Sequence, residues 1–333
     1  MSYPYLFIKE ICKIVSWKKI CNLFQLIVNY FLASYTKRFN YKRQPFSIAI
    51  EPTNICQLEC QECPTGMGTS IRPKGFLSLD NFKSIIDQNA DYLLNLTFYF
   101  QGEPFLYQDI CQCIHYATHK NIFVNTSTNG QNIDMNLARQ IVNSGLHHII
   151  ISLDGKDQKS YSQYRQNGDI EKVLTSIKNL SVAKKAAHTP FPKIVAQCLL
   201  LKSTENDLKE IKNIAQQAGA DTVVFKTAQF YDLESRKSLL PTKKKYSRYK
   251  QNQDGKYECR TSKKVSPPCW RAWTSLVITW DMNVLPCCFD KNAQYAYGNL
   301  KQNNLQEILQ DKKYLSFPEK ACGKLPICHN CTF

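Results

Sequence analysis

Six short runs rich in β-branched and aromatic residues alternate with segments of helical period along most of the chain. Such alternation is typical of βα units, whose strands pair in parallel because each crossover helix returns the chain to the same end of the sheet. The expected strands are Phe46–Glu51, Leu96–Phe100, Ile122–Ser127, His148–Leu153, Ile194–Leu200 and Thr222–Thr227. The expected helices are Leu79–Leu93, Met135–Ser144, Ile170–Lys185 and Glu205–Ala218. We therefore expect an α/β fold with a parallel sheet, open or curved into a barrel, and a site at the carboxyl ends of its strands.

The first expected strand leads into a loop with three closely spaced cysteines. Cys56, Cys60 and Cys63 form a C-x3-C-x2-C run. Three thiolates at this spacing can hold three irons of a cubane cluster and leave the fourth iron open. A structural zinc ion would need a fourth ligand from elsewhere. The first forty residues show no cleavable signal peptide, so we expect a cytoplasmic, reducing compartment in which the 15 cysteines are thiols or metal ligands.

A second group of cysteines lies near the C-terminus, where little apolar sequence is left for an independent core. A bound metal is therefore expected to hold this segment together. The group consists of Cys269, Cys287, Cys288, Cys322, Cys328 and Cys331. Four thiolates from two separated segments suit a fully ligated iron–sulfur cluster or a zinc ion, and spacing alone does not choose between them.

Further motifs follow the later strands in order. Gly102-Glu103-Pro104 follows the second strand, Ser127-Thr128-Asn129-Gly130 ends the third, and Ser152-Leu153-Asp154-Gly155 ends the fourth, with Arg165 beyond it. Together with the cysteine loop, these motifs resemble the radical S-adenosylmethionine (SAM) superfamily, whose fold is a partial (β/α)6 barrel. The resemblance implies that Cys56, Cys60 and Cys63 hold a SAM-binding 4Fe–4S cluster. The residues that it implies for SAM contact are Gly102, Glu103, Pro104, Ser127, Asn129, Ser152, Asp154 and Arg165. It assigns no residue to acid–base catalysis.

The C-terminal segment resembles the SPASM domain, or the shorter twitch domain, of the same superfamily. The resemblance rests on Pro268-Cys269-Trp270-Arg271-Ala272-Trp273, Pro286-Cys287-Cys288 and Gly298-Asn299-Leu300. It implies one auxiliary 4Fe–4S cluster, with Cys269, Cys287, Cys328 and Cys331 as ligands. Cys288 and Cys322 stay open as buried thiols or substitute ligands. Two positions depart from the pattern: Glu62 stands where many relatives have an aromatic residue, and Met282 where many have glycine.

The formal net charge of +16 is concentrated in two segments. Residues 1–46 carry eight Lys and Arg against Glu10, and residues 235–264 carry eleven against Asp254 and Glu258. No zinc-finger, RRM or helix-turn-helix signature accompanies this charge, so a nucleic acid partner is not expected. The expected domains are a basic amphipathic helical extension (1–45), the partial barrel (46–234), a basic connector (235–264) and the auxiliary cluster domain (265–333).

The N-terminal extension is expected to form one or two amphipathic helices over Ile8–Tyr35. Its most apolar part, Ile20–Ser34, is too short and too polar to span a bilayer. Two interpretations stay open: the helix packs on the outside of the domain, or it makes a peripheral contact with the inner face of the membrane or with a lipid substrate.

The resemblance implies reductive cleavage of SAM to a 5'-deoxyadenosyl radical that removes hydrogen from a substrate. An electron donor such as flavodoxin or ferredoxin is then an expected partner. The leading prediction is an oxidoreductase that dehydrogenates or otherwise modifies a sugar-like or anionic small molecule. One alternative is a maturase that modifies a peptide or protein, and another is a metal-stabilised scaffold without catalysis.

Overall fold

A computed structural model describes residues 12–39, 41–230, 233, 236–260, 268–321, 325–329 and 331. Cys322, the beginning of the predicted N-terminal helix and both ends of the predicted connector lie outside the described residues. The strands, in chain order, are β1 Ser47–Ile50, β2 Asn95–Thr97, β3 Phe123–Thr128, β4 His148–Ser152, β5 Lys193–Leu200, β6 Thr222–Thr227, β7 Tyr249–Gln251, β8 Tyr257–Cys259, β9 Ser275–Ile278, β10 Asn283–Leu285 and β11 Gly298–Asn299. The α-helices are α1 Trp17–Thr36, α2 Leu79–Asn89, α3 Ile110–His119, α4 Met135–Asn143, α5 Gln158–Ser162, α6 Ile170–Ala186, α7 Leu208–Ala218, α8 Trp270–Thr274, α9 Leu305–Gln310 and α10 Lys312–Ala321.

The chain forms two compact units. Unit 1 consists of Met1–Ile55, Ile71–Asn125 and Ser262–Phe333, and unit 2 of Cys56–Ser70 and Thr126–Thr261. Each of the six predicted strands overlaps an observed strand, β1 to β6. Burial alternates along β1 and β3, and in β3 every second residue is buried.

The sheet of unit 1 is mixed. β1 pairs in parallel with β2 on one side and with β9 on the other, and β2 pairs in parallel with the start of β3. β10 then adds to β9 in the antiparallel direction, followed by β11. The C-terminal segment therefore extends the same sheet as β1, and the carboxyl end of β1 lies beside β9.

Unit 2 has a parallel sheet in which β5 lies between β4 and β6. Helices α4 and α6 pack against each other, and each begins with an aspartate whose carboxylate accepts a hydrogen bond from a first-turn N–H. These caps satisfy N–H groups that lack an intrahelical partner. The unit also contains a short antiparallel pair, β7 with β8, inside the segment predicted as a connector.

Candidate metal and cofactor sites

The cysteine loop of unit 2 gathers its three thiols around one apolar cluster. Cys60 is buried among Leu58, Tyr164 and Phe230, and Cys56 and Cys63 pack against the same cluster. The loop turns tightly, because the N–H of Cys63 donates to the carbonyl of Cys60 at 3.1 Å. The structure therefore brings together the three cysteines that the spacing singled out.

Hydrogen-bond donors surround these sulfurs. Arg165 Nη1 donates to the Sγ of Cys60 at 3.6 Å, and Asn129 Nδ2 donates to the Sγ of Cys56 at 3.7 Å. The backbone N–H of Leu58 also points at Cys56, at 3.4 Å. Burial raises the pKa of the Cys60 thiol, and the charge of Arg165 opposes that rise. Three sulfurs with cationic and amide donors fit an anionic iron–sulfur cluster, since such donors stabilise negative charge on sulfur.

Asp154 and Arg165 form a buried pair in unit 2. One oxygen of Asp154 accepts from Arg165 Nε at 2.6 Å, and the other accepts from the N–H of Leu199 at 2.6 Å. Burial by itself would lower the pKa of Arg165, but the Asp154 carboxylate and the nearby Cys60 raise it well above the ordinary arginine value. Because Asp154 is fully enclosed, its direct effect here is to fix the guanidinium that faces Cys60.

Asn129 bonds the cysteine loop itself. Its side-chain amide exchanges hydrogen bonds with that of Gln57, at 3.3 and 3.4 Å, and its Oδ1 accepts from the N–H of Gln131. Ser127 and Ser152 lie at the carboxyl ends of β3 and β4, where the parallel sheet places its site. Sequence reasoning had not identified Gln57 as part of this arrangement.

The Gly102-Glu103-Pro104 turn belongs to unit 1 and packs on the chain that leaves β1. Glu103 N–H donates to the carbonyl of Ile55 at 2.8 Å, and its buried carboxylate accepts from the N–H of Phe105. Pro104 then begins a 3-10 helix over Pro104–Leu106. Gly102 has φ +71°, and a Cβ there would lie 2.5 Å from the carbonyl oxygen of Thr53. Only glycine allows this close backbone contact.

Unit 1 also brings four C-terminal cysteines together. Burial, reinforced by the nearby thiols of Cys288, Cys269 and Cys328, raises the pKa of Cys287 to about 12. Burial likewise raises the pKa of Cys269, whose neighbours include Cys331. The N–H of Cys331 donates to the carbonyl of Cys328 at 3.0 Å, so the C-x2-C segment is a tight turn. Cys269, Cys287, Cys328 and Cys331 therefore lie in one neighbourhood together with Cys288, and the choice of four ligands among them stays a prediction.

Cys288 has different surroundings from its neighbour Cys287. Its sulfur lies 2.7 Å from Arg271 Nη1, and its side chain packs against the cluster of Phe100, Val277 and Leu285. In the described part of the chain, no three His, Cys, Asp or Glu side chains converge tightly enough for a single metal ion.

Sequence reasoning also missed a contact that clamps the cysteine loop. Arg236 Nε lies 3.2 Å from the carboxylate of Glu62, which is buried, and Arg236 Nη2 lies 3.6 Å from the sulfur of Met67. Glu62 is the residue at which the family resemblance implied an aromatic side chain. Its ion pair could not have been found from local pattern, because Arg236 lies far along the chain.

Parallel βα units, a three-cysteine loop after the first strand and a four-cysteine group near the C-terminus define an α/β protein with two candidate iron–sulfur sites. The sequence model of the Radical SAM superfamily matches residues 50–215, and that of the SPASM iron–sulfur cluster-binding domain matches residues 269–332. The chain therefore belongs to the radical SAM superfamily of enzymes and carries a C-terminal SPASM domain. The two matches confirm the predicted family. They also confirm the predicted cofactors, which are SAM, the SAM-binding 4Fe–4S cluster and auxiliary iron–sulfur binding in the SPASM domain.

Curated relatives in this superfamily differ in what they make. The chain is 29% identical to an AdoMet-dependent heme synthase of Methanosarcina barkeri over 42% of its own length and 40% of the relative. It is 24% identical to a PqqA peptide cyclase of Streptomyces rochei over 82% of its own length and 76% of the relative. For three of the curated relatives that it matches, the chain spans only 40% to 58% of their length.

A solved structure confirms the predicted fold class. SuiB of Streptococcus suis, bound to precursor peptide SuiA, superposes with a TM-score of 0.62 and 14% identity, covering 91% of this chain and 72% of SuiB. At this identity the likeness establishes the fold alone, which is a radical SAM partial barrel with a C-terminal auxiliary domain.

Proposed function

We propose that this protein reductively cleaves SAM and removes a hydrogen atom from a substrate that carries an anionic group. The observation that carries the proposal is the grouping of Cys56, Cys60 and Cys63 with donors from Arg165 and Asn129. When bound, the cluster supplies the electron that splits SAM into methionine and the 5'-deoxyadenosyl radical. The predicted domain boundaries and site residues are part of this proposal.

The residues of unit 2 have distinct roles in it. The three cysteines hold the cluster, Asn129 fixes the cysteine loop through Gln57, and Asp154 orients Arg165. Arg165 keeps positive charge beside Cys60 and has the planar donor geometry that suits the carboxylate of SAM. In unit 1, the buried carboxylate of Glu103 is the group proposed for the ammonium of SAM.

A basic cavity in unit 2 supports an anionic substrate. It has a volume of about 490 Å³, and its described lining contains five cations and no acidic side chain. The cations are Lys202, Lys237, Lys244, Lys250 and Arg260. Tyr249 also lines the cavity and belongs to the apolar cluster that contains Cys60. A phosphorylated or carboxylated molecule held here would lie against the same cluster as the SAM-binding thiols.

The chemistry is tested with anaerobically purified protein, by counting iron and sulfide and by measuring 5'-deoxyadenosine formed with SAM and dithionite. We expect about eight irons per chain from two cubane clusters. Cys56→Ala/Cys60→Ala/Cys63→Ala should lose cleavage and about half of the iron. Cys12→Ala/Cys21→Ala, which removes two exposed thiols, is the matched control and should keep both. Zinc in place of iron, or no cleavage by the wild type, would leave a metal-stabilised scaffold as the better account.

The anionic site is tested by calorimetry with pyrophosphate as the probe. Lys202→Ala/Lys244→Ala should weaken binding at least ~10-fold, because two of the five cavity cations are lost. Lys209→Ala/Lys212→Ala removes two exposed lysines of α7 and should leave binding unchanged. Equal affinity in all three proteins would contradict the assignment of this cavity.

A peptide substrate is the second candidate. It is favoured by the PqqA peptide cyclase relative, whose match covers more of this chain than that of the heme synthase. The two candidates are separated by incubating the reconstituted enzyme with SAM, reductant and either pooled phosphorylated sugars or a library of acidic peptides. A substrate should increase 5'-deoxyadenosine formation and undergo a mass change. A response to the peptides alone would overturn the small-molecule proposal.

A further inference from the structure

Helix α1 is apolar on two opposite faces. One face is buried in unit 1, where Leu26 and Ala33 belong to the same cluster as Trp273. At 100° per residue, the apolar residues on the other side of the helix are centred opposite this buried face. They are Trp17 (77% exposed), Ile20 (46%), Phe24 (68%), Val28 (37%), Phe31 (65%), Leu32 (44%) and Tyr35 (89%). The outer face is therefore an unpartnered apolar stripe in the described structure.

The orientation of α1 is fixed by specific hydrogen bonds. The indole nitrogen of Trp273 donates to the carbonyl of Leu26 at 3.0 Å, and Asn22 Nδ2 donates to the carbonyl of Gln44 at 3.1 Å. Lys19 Nζ donates to the carbonyl of Asn121 at 2.6 Å. A rotation that buried the outer stripe would break all three bonds and expose Leu26. The stripe thus stays outside while the inner face holds the helix on the unit.

Exposed apolar area is concentrated on this helix and the residues just before it. Of the 13 large apolar residues that are exposed in the described chain, eight lie between Val15 and Tyr35. Scattered exposed apolar side chains are ordinary on a protein surface, whereas a contiguous patch marks a contact surface. We therefore expect a binding partner to cover this patch.

Charge around the patch indicates which occupant. Residues 12–46 contain seven Lys and Arg and no Asp or Glu. Lys19 and Arg43 are buried, and Lys18 pairs with Asp91. Exposed cations lie at both ends of the helix, with Lys13 before it and Lys37 and Arg38 after it. An apolar stripe with cations at both ends complements a surface that offers hydrocarbon below a layer of negative charge. An anionic bilayer has this arrangement of hydrocarbon and negative charge.

The shape of α1 agrees with a helix that lies in the plane of the interface. Its 20 residues extend about 30 Å, and the most exposed aromatic side chains, Trp17 and Tyr35, lie at its two ends. Both residue types favour the boundary between headgroups and acyl chains. Among the described helices, none is long and apolar enough to cross a membrane. We propose that the outer face of α1 docks the protein on an anionic membrane surface.

The test is co-sedimentation of the reconstituted holoprotein with vesicles of phosphatidylcholine containing 30% phosphatidylglycerol or none. We expect the wild type to bind the anionic vesicles and to be released by salt. Phe24→Gln/Phe31→Gln should weaken binding at least ~10-fold, since two large apolar side chains no longer enter the interface. Val182→Gln/Val224→Gln removes exposed apolar side chains outside the stripe and should bind as the wild type does. Lys37→Glu/Arg38→Glu should lose the preference for phosphatidylglycerol.

Tryptophan quenching gives a second readout. Brominated lipids should quench the wild type, and Trp17→Phe should lose most of that quenching because Trp17 is the most exposed indole of the stripe. A wild type that stays in the supernatant, or equal binding by wild type and Phe24→Gln/Phe31→Gln, would overturn the proposal. Self-association in sedimentation velocity that disappears in the same variant would also overturn it, because a second copy would then cover the face.

Discussion

The ion pair between Glu51 and Arg72 offers a quantitative test of the structure around the first strand. Glu51 directly follows β1, and its side chain is fully buried, while that of Arg72 is 4% exposed. Arg72 contacts both carboxylate oxygens, at 3.1 and 2.5 Å, and Asp281 at 3.4 Å. Glu51 also accepts from the N–H of Trp280 at 3.2 Å. The pair thus joins β1 and the segment after the cysteine loop to the turn between β9 and β10.

Removing one partner of this pair should be costly. In Arg72→Met the Glu51 carboxylate would stay buried with its charge uncompensated, and breaking a buried pair in this way costs about 3–5 kcal/mol. In Glu51→Leu/Arg72→Met both charges are gone, so most of that loss should be recovered. The expected coupling between the two positions is therefore about 3 kcal/mol.

The assay is anaerobic urea unfolding of wild type, both single variants and the double variant, followed by tryptophan fluorescence and circular dichroism. Lys18→Met is the control, because its ion pair with Asp91 has a similar distance of 2.7 Å but lies in solvent, and little change is expected. A loss of stability below ~0.5 kcal/mol in Arg72→Met, or simple additivity of the two single variants, would contradict a buried, coupled ion pair at these positions.

Three further predictions concern single residues. Burial lowers the pKa of Lys19 to about 8, below its value in the unfolded chain. Above pH 8 the unfolded chain therefore binds more protons than the folded chain, so the free energy of unfolding should rise with pH there. Lys19→Met should flatten that rise in urea titrations. Gly102→Ala should lower the free energy of unfolding by roughly 2 kcal/mol, because the φ of Gly102 is positive and the new Cβ would meet the Thr53 carbonyl. An unchanged free energy of unfolding would contradict this contact. Asp154→Asn should destabilise the fold by about 3 kcal/mol, because Arg165 loses its buried partner. It should also weaken SAM binding in calorimetry. Normal SAM affinity would argue against a role of Asp154 in positioning Arg165.

Some elements were not predicted from the sequence, and the reasons differ. Helix α3 buries Ile110, Cys113, Ile114 and Ala117, a spacing typical of a helix, but it is short and contains residues that also suit strands. The β7–β8 pair lies in a lysine-rich segment with no apolar alternation, and its turn depends on hydrogen bonds to the side chain of Asn252. Near the C-terminus, the helices Leu305–Gln310 and Lys312–Ala321 are separated at Asp311.

Features that depend on residues close together in the chain could be predicted from the sequence alone. Short runs rich in β-branched and aromatic residues predicted the six parallel strands, and the spacing of Cys56, Cys60 and Cys63 predicted a three-thiolate loop, because a strand and a short loop constrain residues close in the chain. The later motifs fell at strand ends for the same reason. These local patterns were sufficient to predict the family.

Contacts between side chains that are distant in the chain are visible in the folded structure alone. Arg165 faces Cys60, and Arg236 reaches Glu62. Each contact joins residues more than a hundred positions apart. Such pairs form when whole helices and strands pack together. Burial and charge interactions stabilise these contacts, and the secondary-structure propensities of neighbouring residues do not specify them. The same packing left one face of α1 exposed, which no periodicity could reveal.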